Sequence, residues 1–98
     1  MKALVKMHNI DAGILERTKE GYLFIYLSNY SAEPISLTLP VRKEPFIFKK
    51  FPPLFDGLLP EGPQLEGLLK ERKIDRNNLM AQLIAVGEDL VGAITVHE

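Results

Sequence analysis

The 98-residue chain carries two imidazoles, His8 and His97, and no cysteine. Nucleophilic catalysis needs a nucleophile held beside a base. The two histidines sit near opposite ends of the sequence and read as surface residues at strand ends. A zinc centre needs three or four ligands at suitable spacing, and no such set is legible. "GEDLVG", residues 87–92, has glycines five apart but lacks the Lys and following Ser/Thr of a phosphate-binding loop. Gly87-Glu88-Asp89 therefore reads as a helix stop and tight turn. Asp56, Glu61, Glu66, Glu88 and Asp89 include pairs that could act as acid and base, but 13 carboxylates on one small chain are in the main a solvated face. "VRKE" and "KERK" are short basic clusters without the interleaved aromatics that stack on bases. This inventory predicts no catalytic residue, no cofactor and no metal. It favours a binding or structural role over an enzyme.

A different chemistry is concentrated in "FPPLFDGLLPEGPQLEGLLKE", residues 51–71. Four prolines and three glycines are set among phenylalanines and leucines. Such residues interrupt regular structure, yet they also fix an irregular backbone and so lower the entropy cost of ordering on binding. A pre-shaped apolar loop suits a partner's pocket. The candidate partner-binding residues are Phe55, Leu58, Leu59, Pro60, Glu61, Gly62, Pro63 and Gln64. Glu61 is the polar contact, either to a partner's Arg or Lys or as a cap for a helix opening at Pro63. The alternative is that Phe55, Leu58 and Leu59 close the domain's own core, with Pro60 to Pro63 as a helix–helix corner.

The elements that must position this stretch follow from periodicity. The length suits one domain, residues 1–98. With 46% hydrophobic and 26% charged residues the chain is globular, and a net charge of -1 offers no general attraction for nucleic acid or an anionic membrane. No apolar run approaches the roughly 18 residues that span a bilayer. No signal peptide is legible in "MKALVKMHNIDAG", and the lack of cysteine fits a reducing, cytoplasmic setting. "KALVKMH" alternates as a strand does. "NIDAG" reads as a turn, "ILERT" as a second strand, "KEG" as a turn and "YLFIYL" as a strand covered on both sides. "ISLTLP" alternates, with Ile35, Leu37 and Leu39 on one side. "FIF" is a short apolar patch. A turn of helix is expected over Leu54 to Leu59 after Pro52-Pro53, and a second helix over "PQLEGLLKER" with Leu65, Leu68 and Leu69 on one face. A third is expected through "NLMAQLIAV", capped near Asp75 to Asn77, burying Leu79, Leu83 and Val86 and ended by a left-handed Gly87. "LVGAITV" closes as a strand. The pattern predicts an α+β fold, a small antiparallel or mixed sheet of about five strands with two to three helices inserted before the last strand.

The run Phe55-Asp56-Gly57-Leu58-Leu59-Pro60-Glu61-Gly62 resembles the signature of the HipA-type N-terminal subdomain. "PISLTLP", Pro34 to Pro40, and "VGEDLVGAITV", residues 86–96, resemble two further elements of that family in the same order. The resemblance covers nearly the whole chain and stops where the subdomain stops, with no kinase core after Glu98. A free-standing version is similar to the HipS antitoxins of HipBST toxin–antitoxin systems. It implies a partner, a HipT-like Ser/Thr kinase toxin acting on a translation component, with a HipB-like helix-turn-helix protein as a third member. Direct nucleic-acid or membrane contact is not implied. Family members often carry a bulky aromatic directly after "LPEG", where this sequence has Pro63. The competing expectations are a stabilising kinase subunit that does not inhibit, and a small-molecule binding module.

Overall fold

The computed structural model describes residues 1–90 and 92–98. Its elements, in order, are β1 (Lys2–Met7), β2 (Ile10–Thr18), β3 (Gly21–Tyr26), β4 (Phe46–Phe48), α1 (Pro53–Asp56), α2 (Gly62–Arg72), α3 (Leu79–Val86), a 3-10 turn over Gly87–Asp89, and β5 (Ile94–His97). The strands form one sheet in the order β4-β3-β2-β1-β5, with each neighbouring pair antiparallel. This is an α+β fold whose three helices lie between β4 and β5. Val91, which the sequence assigns to the closing segment "LVGAITV", lies outside the described residues.

The first hairpin closes through His8 and Asn9, with φ of 51° and 65°. A two-residue turn with left-handed backbone matches the twist of the strands it joins. The turn expected over "NIDAG" therefore falls earlier, and β2 already begins at Ile10. Gly13 belongs to the strand, where a Cβ would lie 2.5 Å from the Phe24 ring.

Alternation sends Ala3, Val5, Leu15, Phe24, Tyr26, Phe46 and Val96 to one face, where they are buried against Phe51, Phe55, Met80 and Leu83. Leu4, Ile14, Leu23 and Ile25 alternate onto the other face and are half-buried. The helices thus cover one side of the sheet.

"ISLTLP" is a tight turn instead of a strand segment, closed by a single bridge between Ser36 and Leu39. The cause is Tyr26. Its hydroxyl donates to the Leu39 carbonyl and accepts from the Ile35 N–H at 3.0 Å. With both ends tied to one phenol, Ile35 and Leu39 are buried and Leu37 is fully exposed.

Helix α3 is capped by Asn78, whose side chain accepts from the Ala81 N–H at 3.1 Å. Asp75, within the expected cap, instead accepts from the Asn77 N–H at 2.7 Å in the preceding turn. The buried face is Met80, Gln82 and Leu83, with Leu79 and Val86 only half-buried. Gly87 is not left-handed, with φ -57°, and leads into the 3-10 turn. Its small size matters for another reason: a Cβ there would lie 1.9 Å from the Val96 carbonyl oxygen.

These contacts set the sign of two substitutions. Gly87→Ala is expected to cost about 1–3 kcal/mol or more by overpacking. Gly67→Ala, with open space around its Cβ position, is expected to gain up to about 1 kcal/mol from helix propensity. Urea denaturation of the two variants checks both signs. Burial also raises the Tyr26 phenol above its ordinary value of 10.0 and does the same for Tyr30. Above that pH the unfolded chain releases protons that the folded chain keeps, so stability is full below pH 10 and falls as pH rises further. Tyr26→Phe should lose about 1–3 kcal/mol at neutral pH by orphaning its backbone partners, and should show a shallower alkaline loss in denaturation curves recorded from pH 8 to 12.

Candidate functional site

Helix α1 is a single turn set by its prolines. Pro52 is extended at φ -60°, ψ 134° and Pro53 takes the first helical position. The turn loosens at once into i to i+3 bonds, Leu58 N–H to Phe55 at 3.0 Å and Leu59 N–H to Asp56 at 3.2 Å. Pro60 has no N–H to continue the series. Glu61 is extended, at φ -131°, ψ 164°. Gly62 then turns left-handed at φ +59°, and a Cβ added there would meet no atom within 4 Å, so its backbone angle and not its size requires glycine. Pro63 sits in the first turn of α2. Of these four positions, Pro60 and Pro63 have φ fixed by their rings, while Gly62 supplies the one angle that other residues rarely adopt.

Burial divides the candidate residues. Phe55 is 0% exposed in the core. It has no surface to offer a partner, and its place among the partner-binding residues is corrected: its ring packs on Phe24. Leu58, Leu59 and Pro60 are half-buried, and the two leucines pack against the core cluster. Glu61, Gly62, Pro63 and Gln64 are exposed. The capping role open to Glu61 is not taken up, since its side chain makes no cap hydrogen bond.

The bend forms one wall of an open groove of about 380 Å³, lined by Gly57, Leu58, Leu59, Pro60 and Gln64. The opposite wall is Val86, Asp89 and Leu90, from the junction of α3 and the 3-10 turn. Read as sequence, "GEDLVG" is only a turn; no local signal pairs it with the bend. The groove's lining is mostly apolar, with Asp89 as its one charged residue, and the exposed Asp56 and Glu61 adjoin it in sequence. Such a surface suits a partner that presents an apolar side chain beside an Arg or Lys.

The remaining chemistry-bearing residues lie apart. His97 is registered opposite Leu4, whereas His8 follows Met7, which is opposite Ile94; the two imidazoles stand at opposite ends of the β1–β5 pair. His8 Nε2 meets Glu33 at 3.0 Å. His97 contacts Thr95 Oγ1 at 2.8 Å through Nε2, and Glu88 at 3.5 Å through Nδ1. Among the described residues no three His, Asp or Glu side chains converge as a metal site would need, and no helix is long and apolar enough to cross a membrane.

Because Glu61 is exposed and makes no cap hydrogen bond, Glu61→Ala should change folding stability by less than about 0.5 kcal/mol. Asn78→Ala, which removes a real cap, should cost about 1 kcal/mol. Thermal melts of the two variants side by side check the contrast.

The family model described as the HipA N-terminal domain matches residues 3–97. An uncharacterized protein of Haemophilus influenzae is 30% identical over 86 residues, which cover 88% of this chain and 81% of that protein. Two kinase-named proteins of Sinorhizobium fredii, Y4mE and Y4dM, are 34% and 35% identical over 76% and 83% of this chain. The matched stretches are only 18% and 21% of their own lengths. Among solved structures, an N-terminal domain of HipA toxin superposes with a TM-score of 0.74 at 27% identity, covering 99% of this chain and 92% of that one.

Proposed function

The chain belongs to the HipA N-terminal domain family, and on that premise we propose that it is an antitoxin-like binding protein. Its partner is a separately encoded HipA-type Ser/Thr kinase, HipT-like, which it restrains by seating the Leu58–Gln64 bend against it. The observation that carries the reading is the bend itself: an exposed Glu61–Gln64 corner held between the rings of Pro60 and Pro63, with Gly62 left-handed between them. A surface ordered before binding loses little conformational entropy when it docks. A relative of nearly the same size supports action as a separate polypeptide, while the kinase-named relatives support a kinase as the natural neighbour of this domain.

With Pro63 after the "LPEG" run, no aromatic side chain is available to plug a kinase site from that position. Restraint then comes from docking, with the leucines in an apolar recess and Glu61 or Asp89 against a cation. The chain itself has no catalytic role in this reading. A HipB-like helix-turn-helix protein joins as the third component and makes the DNA contact.

One observation favours a second version. Helix α2 buries no residue, and its Leu65, Leu68 and Leu69 are only half-buried. A helix left so lightly packed suits a subunit that completes a kinase's fold without inhibiting it.

Co-expression with a HipA-type kinase from the same genome tests both. The expected result is a co-purifying complex with reduced kinase activity. Glu61→Lys should weaken it by about tenfold or more through like-charge contact, with an unchanged melting temperature. An active kinase in a stable complex would select the subunit version. Failure to associate, or full binding by Glu61→Lys and Gln64→Arg alike, would remove the bend from the interface.

A further inference from the structure

We propose that the open edge of β4 is a docking strip for an extended acidic segment of a partner protein, with carboxylates alternating with apolar residues. β4 ends the sheet. Its peptide groups pair toward β3, and among the described residues none bonds outward to the rest of the chain. An unpaired strand edge is a template for a further strand. Phe46 turns into the core, while Ile47 points the other way and is 79% exposed. A groove of about 430 Å³ runs beside the strand, lined by residues that include Arg42, Phe46, Ile47, Pro53 and Leu54.

Arg42 gives this groove its chemistry. Its guanidinium lies 3.7 Å over the Phe46 ring. Nε donates to the Glu44 carbonyl at 3.1 Å and Nη2 to the Pro45 carbonyl at 3.0 Å. The side chain is thus held in place by neutral groups, and its charge meets no carboxylate among the described ion pairs. Of five N–H donors two are used, which leaves donors for a carboxylate.

Lys43 stands on the same flank and Lys49 and Lys50 on the other, with Glu44 the single carboxylate between Arg42 and Lys50. None of the three lysines is in an ion pair among the described residues. A chain of net charge -1 therefore has a cationic strip along one sheet edge. Lysines beside a short edge strand often guard it against pairing. Here, however, the outward-facing position of the strand itself is the apolar Ile47 and carries no charge. Cations at both ends of the strand match carboxylates spread along a segment better than one terminal carboxylate. The period of two in an added strand sets its apolar residues beside Ile47 and its carboxylates toward Arg42. The strip does not rest on the kinase reading: no residue lines both grooves.

The test is an amide-shift titration of the ¹⁵N-labelled full chain with the peptide acetyl-EVEVE-amide. The controls are acetyl-KVKVK-amide and acetyl-VGVGV with a free carboxylate. Saturable shifts confined to the region of Arg42–Lys50 and β3, which weaken with salt, are expected for the first peptide alone. Arg42→Gln should weaken binding about tenfold, the size of one charged hydrogen bond. The double change Lys49→Glu with Lys50→Glu, at two exposed positions, should weaken it as well, without disturbing the fold. Equal binding by the lysine peptide, equal binding by the free-carboxylate peptide, shifts centred elsewhere, or wild-type affinity in both variants would each overturn the proposal.

Discussion

The contact between Phe55 and Phe24 is the constraint on which the rest of the molecule depends. Their ring centroids are 6.1 Å apart at a tilt of 49°, and both side chains are fully buried. A four-residue helix has no independent stability; this contact is what fastens α1 to the sheet. Phe24 also meets Tyr26 edge-on at 4.9 Å, and Tyr26 stacks on Tyr30 at 5.6 Å and approaches Phe46 at 6.3 Å. One aromatic run therefore connects the single-turn helix, β3, the turn held by Tyr26 and the outermost strand β4. In a domain of this size the core is thin, and this run lies within its one buried cluster.

Once Phe55 is placed, the bend after it has little freedom. Pro60 forbids a continued helix, the left-handed angle at position 62 calls for glycine, and Pro63 fixes the entry to α2. The leucines between them are drawn half into the core and remain half available. Beyond the bend the packing thins. α2 buries nothing, and its Glu66–Arg76 ion pair is exposed, where such pairs add little. The turn before α3 is held more firmly, because the buried Gln82 amide donates to the carbonyls of Asp75 at 3.3 Å and Arg76 at 2.9 Å. The strands and α3 thus form the stable part, and α2 belongs to the less protected part.

A net charge near zero conceals an uneven surface. The groove beside Leu58–Gln64 has Asp89 in its lining and Asp56 and Glu61 next to it in sequence, whereas Arg42, Lys43, Lys49 and Lys50 flank the β4 edge. Both combine apolar side chains with charges that have no ion-pair partner among the described residues, the arrangement that favours a complementary polypeptide over a small neutral ligand.

The sequence by itself determined what depends on neighbouring residues. Alternation in "KALVKMH" and the aromatic, apolar run "YLFIYL" marked strands, although the latter is covered on one side only; Pro52-Pro53 and Pro63 marked helix starts, the prolines and glycines of residues 51–64 marked an irregular bend, and the ordered motifs marked the family. These are properties of backbone angles and of periods two and 3.6, which act over a few residues. Tertiary structure alone decided which apolar residues face inward. Phe55 went to the core and Leu37 to solvent, "ISLTLP" was gathered into a turn by a phenol from another strand, and Gly87 proved necessary for its closeness to Val96. Ile47 was left bare because its sheet ends at β4. Burial depends on what lies across the layer from a residue. That partner is remote in the chain, so no local pattern identifies it.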